Sequence, residues 1–416
     1  MEQTRAPSSD HPEQAIRDIQ HFGEEGGVVP VIDVAATSTF LDPADMDRTF
    51  QGEMPGCYLY SRHSNPTVNI FGKKLAAMEG APAALGVSSG MAAIACAIDQ
   101  IFRNEAREKN PNGNGFAGGH IVSSNTVYGG TYALFKNVMP SRGIEVTFTD
   151  IVDLAGVEKA IRPDTKVLYV ETLSNPLLTA SDIGALAKIA KKRGAKLVVD
   201  NTFTPLMVRP LMLGADVVVH SCTKYISGSS DLIAGAIAGT EEFIGSLIDV
   251  NHGAVMLGGP VMDPRIAHEL YLRMDHLSVR MQAHGRMAEF LASRMQELKI
   301  PVIYPSLASH PQRELIRKMV HPDFGFGGIL TIDCGTSDRA QVLATKLQDE
   351  KFGLYAVSLG FSRTLMSCSA KSTSSEIPEV EQIAIGLSPG LLRFSIGYTG
   401  DAETMWARFQ KCWTSA

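Results

Sequence analysis

Short apolar runs alternate with helix-patterned segments from residue 84 to residue 219, and this alternation constrains the fold more than any other feature of the chain. The runs are 84–87, 120–123, 145–148, 166–171, 197–199 and 217–219. Residues 91–102, 128–139, 154–161 and 181–193 place apolar side chains at helical spacing between them. Strands this apolar have no face suited to water, so their sheet must be covered on both sides. Helical crossovers supply that cover, which predicts an α/β fold with a mostly parallel sheet. The best-marked helix, 181–193, is expected to start on Ser181 as N-cap and to end on Gly194, with Lys191, Lys192 and Arg193 in its last turn.

Sheets of this kind bind ligands beyond the carboxyl ends of their strands. Three polar groups stand there: Glu171, Asp200, and the turn His220-Ser221-Cys222-Thr223 that delivers Lys224. A lysine ending a buried strand loses hydration, which lowers its pKa from ~10.4 and makes the amine nucleophilic. Such an amine suits Schiff-base chemistry. The turn Ser88-Ser89-Gly90 opens the helix at 91–102, whose first amides can hold an anion. It is neither a GxGxxG fingerprint nor a Walker loop, which argues against a dinucleotide or a nucleoside triphosphate.

The flanks differ in texture. Residues 1–57 are polar and irregular, with prolines at 7, 12, 30 and 43, and read as an arm needing a surface to lie on. Within the α/β domain, expected over 58–262, Thr67 is a candidate cap for a helix burying Phe71, Leu75 and Met78. Residues 263–416 read as a smaller α+β domain, opening on one long helical pattern over 265–298. Strands at 328–334 and 391–397 and helices at 337–348 and 403–413 follow. A net charge of −6 without a basic block gives no sign of a nucleic-acid partner, and no run nears the ~20 apolar residues of a membrane span. The six cysteines stand far apart and the histidines show no metal-ligand spacing. With no leader pattern at residues 1–20, the expectation is a cytoplasmic protein with reduced thiols and no metal.

A pyridoxal phosphate (PLP) site needs an amine, a carboxylate for the ring nitrogen, donors for the phosphate, an aromatic ring and an arginine for the substrate carboxylate. Lys224, Asp200, Ser221 with Thr223 and the Ser89-Gly90-Met91 turn, Tyr128 and Arg393 supply one of each. In order along the chain, YSRHSNPTV, SSGMAAI, YGGTY, ETLSNP, VVDNTF, HSCTKYISGSSD, VSLG and LLRFSIG resemble the cysteine/methionine-metabolism family of PLP-dependent enzymes. That family includes cystathionine γ-synthases, cystathionine and methionine γ-lyases and O-acylhomoserine sulfhydrylases. The resemblance, which runs from about residue 58 to the end, implies a type I aminotransferase-like fold. It also implies a homotetramer built from dimers that share sites, with the arm on a neighbouring subunit. By motif, Lys224 carries the cofactor, Asp200 pairs with its ring nitrogen, and Tyr128 stacks on the ring and moves protons. Gly90, Met91, Ser221 and Thr223 hold the phosphate, joined by Tyr60 and Arg62 from the neighbour. Asn175, Arg393 and the Ser358 backbone hold the carboxylate of an amino-acid substrate.

The implied chemistry is elimination or replacement of a γ-substituent, and the shared motifs do not separate the two. Departures from the family bear on substrate. Val357, preceding Ser358, stands where cystathionine enzymes tend to carry glutamate, so a distal ammonium is less expected. Gly130 lacks the cysteine that marks methionine γ-lyases. Residues 367–378, SCSAKSTSSEIP, replace a histidine-bearing segment and bring Lys371, Ser374 and Glu376. Glu376 could receive a cation such as a guanidinium, as in a canavanine-type γ-lyase, and His63 could touch substrate. The first reading is therefore a γ-lyase for a polar or thioether leaving group. The alternative is γ-replacement on an O-acylhomoserine.

Overall fold

The computed structural model describes residues 11–19, 26–54, 56–110, 118–369, 372 and 375–416. Strands β1 (Ala83–Val87), β2 (Gly119–Ser124), β3 (Ile144–Thr149), β4 (Thr165–Glu171), β5 (Lys196–Asp200), β6 (Val217–Ser221) and β7 (Gly235–Gly239) form one sheet. Its order is β1-β7-β6-β5-β4-β2-β3. β7 runs antiparallel to β1 and β6, and the other neighbours pair in parallel, as the apolar strands demand. β7 is built of small residues for a reason. A Cβ on Gly235 would lie 2.0 Å from the carbonyl oxygen of Ser89, so only glycine lets the strand pass the turn before helix Gly90–Lys109.

Apolar cores fill both faces of the sheet. Phe71, Leu75 and Met78 of helix Pro66–Glu79 are fully buried with Leu197, Val199 and Val218 on one face. Each such side chain contributes roughly 1.5–3 kcal/mol relative to exposure. On the other face Val198, Val217 and Val219 meet Ala93, Ile94, Ala97 and Ile98 of helix Gly90–Lys109. The second sheet holds β8 (Val302–Ile303), β9 (Ile329–Asp333), β10 (Leu354–Tyr355), β11 (Leu365–Cys368) and β12 (Leu391–Ser395) in the order β10-β11-β12-β9-β8. Helices Ser337–Asp349 and Ala402–Ser415 cover it, and Leu330, Ile332, Leu392 and Phe394 lie in its core.

Several local expectations change. The pattern over 265–298 is two helices, Pro264–Met274 and Leu277–Glu297, because it serves two cores. Leu270, Met274 and Met281 pack under the large sheet, whereas Leu291 and Met295 pack under the small one. Asn65, not Thr67, caps Pro66–Glu79: its side chain accepts from the amides of Thr67 and Val68, since Pro66 already occupies the first helical position. Asp182 caps Ile183–Arg193, accepting from Ala185 N at 3.0 Å, while the Ser181 hydroxyl donates to the Glu171 carbonyl. The helix expected at 128–139 is Gly129–Ala133, then a π-helical turn Leu134–Val138 and a 3₁₀ turn Met139–Arg142. Pro140 has no amide to continue an α ladder there. The arm is not wholly extended: Pro12–Asp18 and Pro43–Phe50 are helical. The first buries Ala15 and Ile16 against the large domain, whereas the second buries nothing. Among the described residues no helix is long and apolar enough to cross a membrane, and all six cysteines are free thiols.

Candidate active site

The carboxyl ends of β4, β5 and β6 bring Glu171, Asp200 and Lys224 together. Asp200 closes β5, with one carboxylate oxygen accepting the amide of Thr202 at 2.9 Å and the other the hydroxyl of Tyr169 at 3.4 Å. No ion pair to Asp200 occurs among the described residues. Burial raises its pKa, and the Thr202 hydrogen bonds and nearby His220 oppose the rise. Glu171 stands in register with Asp200 on the adjacent strand and accepts the Tyr128 amide at 2.6 Å. Burial first, and then the facing Asp200, push its carboxyl well above the ordinary range.

Beyond Ser221 the chain turns so that the amide of Lys224 bonds back to the Ser221 carbonyl. Its Nζ donates to Ser358 Oγ at 2.9 Å. Burial, reinforced by the Arg393 charge and opposed by Asp200, lowers the amine to about 8. Ser358 has φ +82°, a conformation that costs a residue with a side chain about 1–3 kcal/mol. That twist turns its hydroxyl to Lys224 and its carbonyl to Arg393, 2.8 Å from Nη2. Gly360, also at positive φ, must stay glycine, because a Cβ there would lie 2.6 Å from the Tyr225 amide.

Arg393 comes from β12 of the second sheet and is 1 % exposed. Its Nη1 donates to Asn175 Oδ1 at 3.1 Å, and its Nε has no partner among the described residues. Burial lowers its pKa to about 10. A buried, incompletely bonded guanidinium is a strong receptor for a carboxylate, which it can grip with two parallel hydrogen bonds.

The anion cradle lies at the start of helix Gly90–Lys109. Ser89 accepts the amide of Ala92, leaving the first-turn amides of Gly90 and Met91 without intrahelical acceptors. A Cβ on Gly90 would stand 2.6 Å from that of Ser221, so the turn and the β6 end close together only on glycine. The Ser221 hydroxyl has no hydrogen bond among the described residues. Thr223, expected beside it, engages its hydroxyl with both the carbonyl and the amide of Ala234, anchoring the turn to the lead-in of β7.

Other expected residues lie apart or at the rim. Arg62 donates to the Met256 carbonyl at 2.8 Å with its guanidinium 5.3 Å from the Tyr60 ring, and neither bonds to Lys224, Asp200 or Ser221. His63 titrates below its ordinary value through burial and then Arg62, opposed by Asp249. Tyr128 is half-exposed; burial, then Glu376 and Glu171, raise its phenol, and Arg393 opposes them. Val357 and Glu376 are exposed. Lys371 and Ser374 lie outside the described residues. Sequence reasoning passed over Thr202 and the hydroxyl of Ser358. The first had a signal, since an aspartate side chain commonly accepts the backbone amide two residues on, as Asp200 does from Thr202. The second had none, because nothing local requires Ser358 to adopt a left-handed backbone.

A desolvated amine, a half-buried carboxylate without an ion pair among the described residues and an anion cradle closed on Gly90 fit PLP. The family model described as Cys/Met metabolism PLP-dependent enzyme matches residues 14–410. A methionine gamma-lyase of Arabidopsis thaliana is 45 % identical over 96 % of this chain and 89 % of its own length. An O-succinylhomoserine sulfhydrylase of Pseudomonas aeruginosa is 34 % identical, over 92 % and 90 %. The crystal structure of a putative O-acetylhomoserine (thiol)-lyase of Campylobacter jejuni, which carries N'-pyridoxyl-lysine-5'-monophosphate, superposes with a TM-score of 0.84. It is 28 % identical, over 95 % of this chain and 97 % of that one.

Proposed function

The chain belongs to the Cys/Met metabolism family of PLP-dependent enzymes, and on that footing we propose that it is a γ-lyase. It acts on an amino acid with a leaving group at Cγ, releasing that group, a 2-oxo acid and ammonia. The observation that carries PLP chemistry here is Lys224, a desolvated amine lowered to about 8 and held by Ser358 within the fields of Asp200 and Arg393. Likeness to the methionine gamma-lyase favours elimination.

Bound PLP supplies an electron sink for the electrons released at the substrate's Cα. Lys224 would hold the cofactor and then, as a free amine, take the α-proton and next a Cβ proton, whose electron pair expels the γ-substituent. Asp200 keeps the ring nitrogen protonated, with the Thr202 amide fixing the carboxylate. Gly90, Met91 and Ser221 bind the phosphate, and Thr223 holds their turn. Arg393 and Asn175 orient the substrate carboxylate. The Tyr128 phenol, kept protonated to higher pH by its neighbours, stacks on the ring and serves as acid at the leaving group.

Tyr60 and Arg62 reach the phosphate of a neighbouring subunit in a homotetramer. Arg62 bonding to Met256 and not to this chain's own cradle supports that, as do the exposed apolar residues Val28, Val31, Val34 and Leu41 on the arm. Mixing inactive Lys224→Ala with inactive Arg62→Ala protein is expected to regenerate activity, because a hybrid dimer contains one intact site. A mixture that stays inactive after subunit exchange removes the shared-site arrangement.

Substrate choice falls to the rim. Glu376, exposed beside Tyr128, favours a γ-substituent with a distal cation, such as the guanidinium-like group of canavanine, over a neutral one. His63 reads the same substituent from the neighbouring subunit, and Val357 lines the route to it. The second reading, γ-replacement on an O-acylhomoserine, is favoured by likeness to the sulfhydrylase. Following 2-oxo acid from a panel of γ-substituted amino acids, with and without a thiol, separates the two. Release without acceptor supports the lyase, and turnover only with the thiol overturns it.

A further inference from the structure

A carboxylate lies under the sheet where no reacting group can touch it. Glu79 ends helix Pro66–Glu79, and Gly80 beyond it takes the left-handed cap. Glu79 is 0 % exposed. Its Oε1 accepts from two residues at once, Asn201 Nδ2 at 3.0 Å and His220 Nε2 at 2.7 Å. Its Oε2 and the Nδ1 of His220 are buried without partners among the described residues. Each circumstance disfavours an acid: burial, the negative end of the helix dipole and an unpaired oxygen. Apolar residues of similar volume would be less costly, so the arrangement calls for an explanation beyond packing.

The explanation lies in what the two donors follow. Alternation along a strand puts Asn201 and His220 on the face of Val199 and Val218, against helix Pro66–Glu79. Asp200 and Ser221 point to the opposite face, that of the cofactor site. Asn201 directly follows Asp200, and His220 directly precedes Ser221. The backbone ladder between β5 and β6 runs out here, its last register pair being Asp200 with Val219. Past that point the amide of Asn201 still reaches the Val219 carbonyl, and the Ser221 amide bonds to the Thr202 hydroxyl at 2.8 Å. Side chains therefore take over the spacing of the two strand ends. The side-chain Oδ1 of Asn201 also accepts from the Thr172 hydroxyl, extending the tie towards β4.

We propose that Glu79 is a positioning residue for the cofactor site, fixing from beneath the sheet the spacing of the strand ends that carry Asp200 and Ser221–Lys224. The proposal rests on the reading of Asp200 and Ser221 as cofactor ligands. A shift of the two ends by a few tenths of an ångström moves the ring-nitrogen partner relative to the phosphate cradle, which weakens the grip on PLP and changes its orientation.

The test compares Glu79→Ala, Glu79→Gln and Asn201→Leu in the full chain. The readouts are the dissociation constant of the apoprotein for PLP, the visible circular dichroism of the bound cofactor, and Tm. Glu79→Ala and Asn201→Leu are expected to weaken PLP tenfold or more and to reduce the visible dichroism. Glu79→Gln, which keeps an acceptor of the same reach, is expected to stay within threefold of wild type. A lower Tm with unchanged PLP affinity and dichroism in the folded variants means the role is structural only and overturns the proposal. Should Glu79→Ala fail to fold, Asn201→Leu decides in the same way. Lys224→Ala is the separate control: a pyridoxyl group still fixed to the protein by borohydride there refutes the underlying site reading, whatever the Glu79 variants do.

Discussion

The floor of the site and its rim are built on different terms. Asp200, Ser221 and Lys224 end adjacent strands or the turn that follows them. Their backbones are tied by ladder bonds, by Thr202 and by Ala234, and close contacts at Gly90, Gly235 and Gly360 leave no room for a Cβ. The rim has no such frame. Tyr128 leads into a helix that passes from α to π to 3₁₀, and Val357 and Glu376 face solvent. The segment carrying Glu376 belongs to the C-terminal half but docks on the large domain. Ile377 inserts into the core beside Tyr132 and Phe135, and Glu381 accepts the Tyr132 hydroxyl at 2.8 Å. On the proposed reading, chemistry common to every substrate belongs to the sheet, and discrimination belongs where a side chain can change without moving the sheet.

Substitutions and pH offer ways to break that division. Lys224→Ala is expected to lower turnover by about 10⁴-fold or more and to leave no pyridoxyl group fixed to the protein by borohydride. Retained turnover would move the catalytic amine elsewhere. Arg393→Ala leaves Asn175 and the Ser358 carbonyl unpaired and removes the carboxylate fork. A loss of roughly 3–5 kcal/mol corresponds to about 10²–10⁴-fold in kcat/KM. PLP affinity should stay near wild type, and if it falls equally, floor and rim are not separable at this residue.

The pH dependence of cofactor capture is a third probe. Because burial lowers Lys224 to about 8, its amine is protonated and inert below that value and free above it. Capture of PLP by the apoprotein should therefore rise about tenfold per pH unit below 8 and level off above about 9. An amine with an ordinary pKa near 10.4 would keep the rate rising past pH 10. Stopped-flow measurement of the visible band distinguishes the two. The smallest effect is expected at the rim. Glu376→Gln should change the preference between cationic and neutral γ-substituents by about two- to fivefold, the scale of an exposed charge pair. The same change should lower the Tyr128 pKa, since Glu376 helps to raise it, and so move the alkaline limb of the rate profile downward. A shifted PLP affinity in Glu376→Gln would contradict the separation of the two regions.

Legibility in the sequence follows the same line. The strands reveal themselves because both sheet faces are buried, so each is a continuous apolar run. Their polar ends, Asp200 and the Ser221–Lys224 turn, then mark the site without further information. Of the motifs that resemble the family, ETLSNP, VVDNTF and HSCTKYISGSSD lie on these strand ends and turns. Where a segment answers to two cores, local pattern misleads: residues 265–298 keep one periodicity while Asp275 and His276 break them into two helices. Caps were misplaced by one or two residues because several polar residues were adjacent and only packing selects among them.

What the sequence determined by itself, then, is the α/β architecture and the placing of Asp200 and Lys224 at adjacent strand ends, since each follows from short-range pattern and the hydration cost of burial. The tertiary structure alone decided the contacts that cross the chain. Among them are Ser358, 134 positions from Lys224, at its amine; Arg393 from the second sheet beside Asn175; and Glu79 beneath His220. Those pairings depend on which elements fold over one another. No local spacing encodes them, because the forces that join them act only once the two cores have closed.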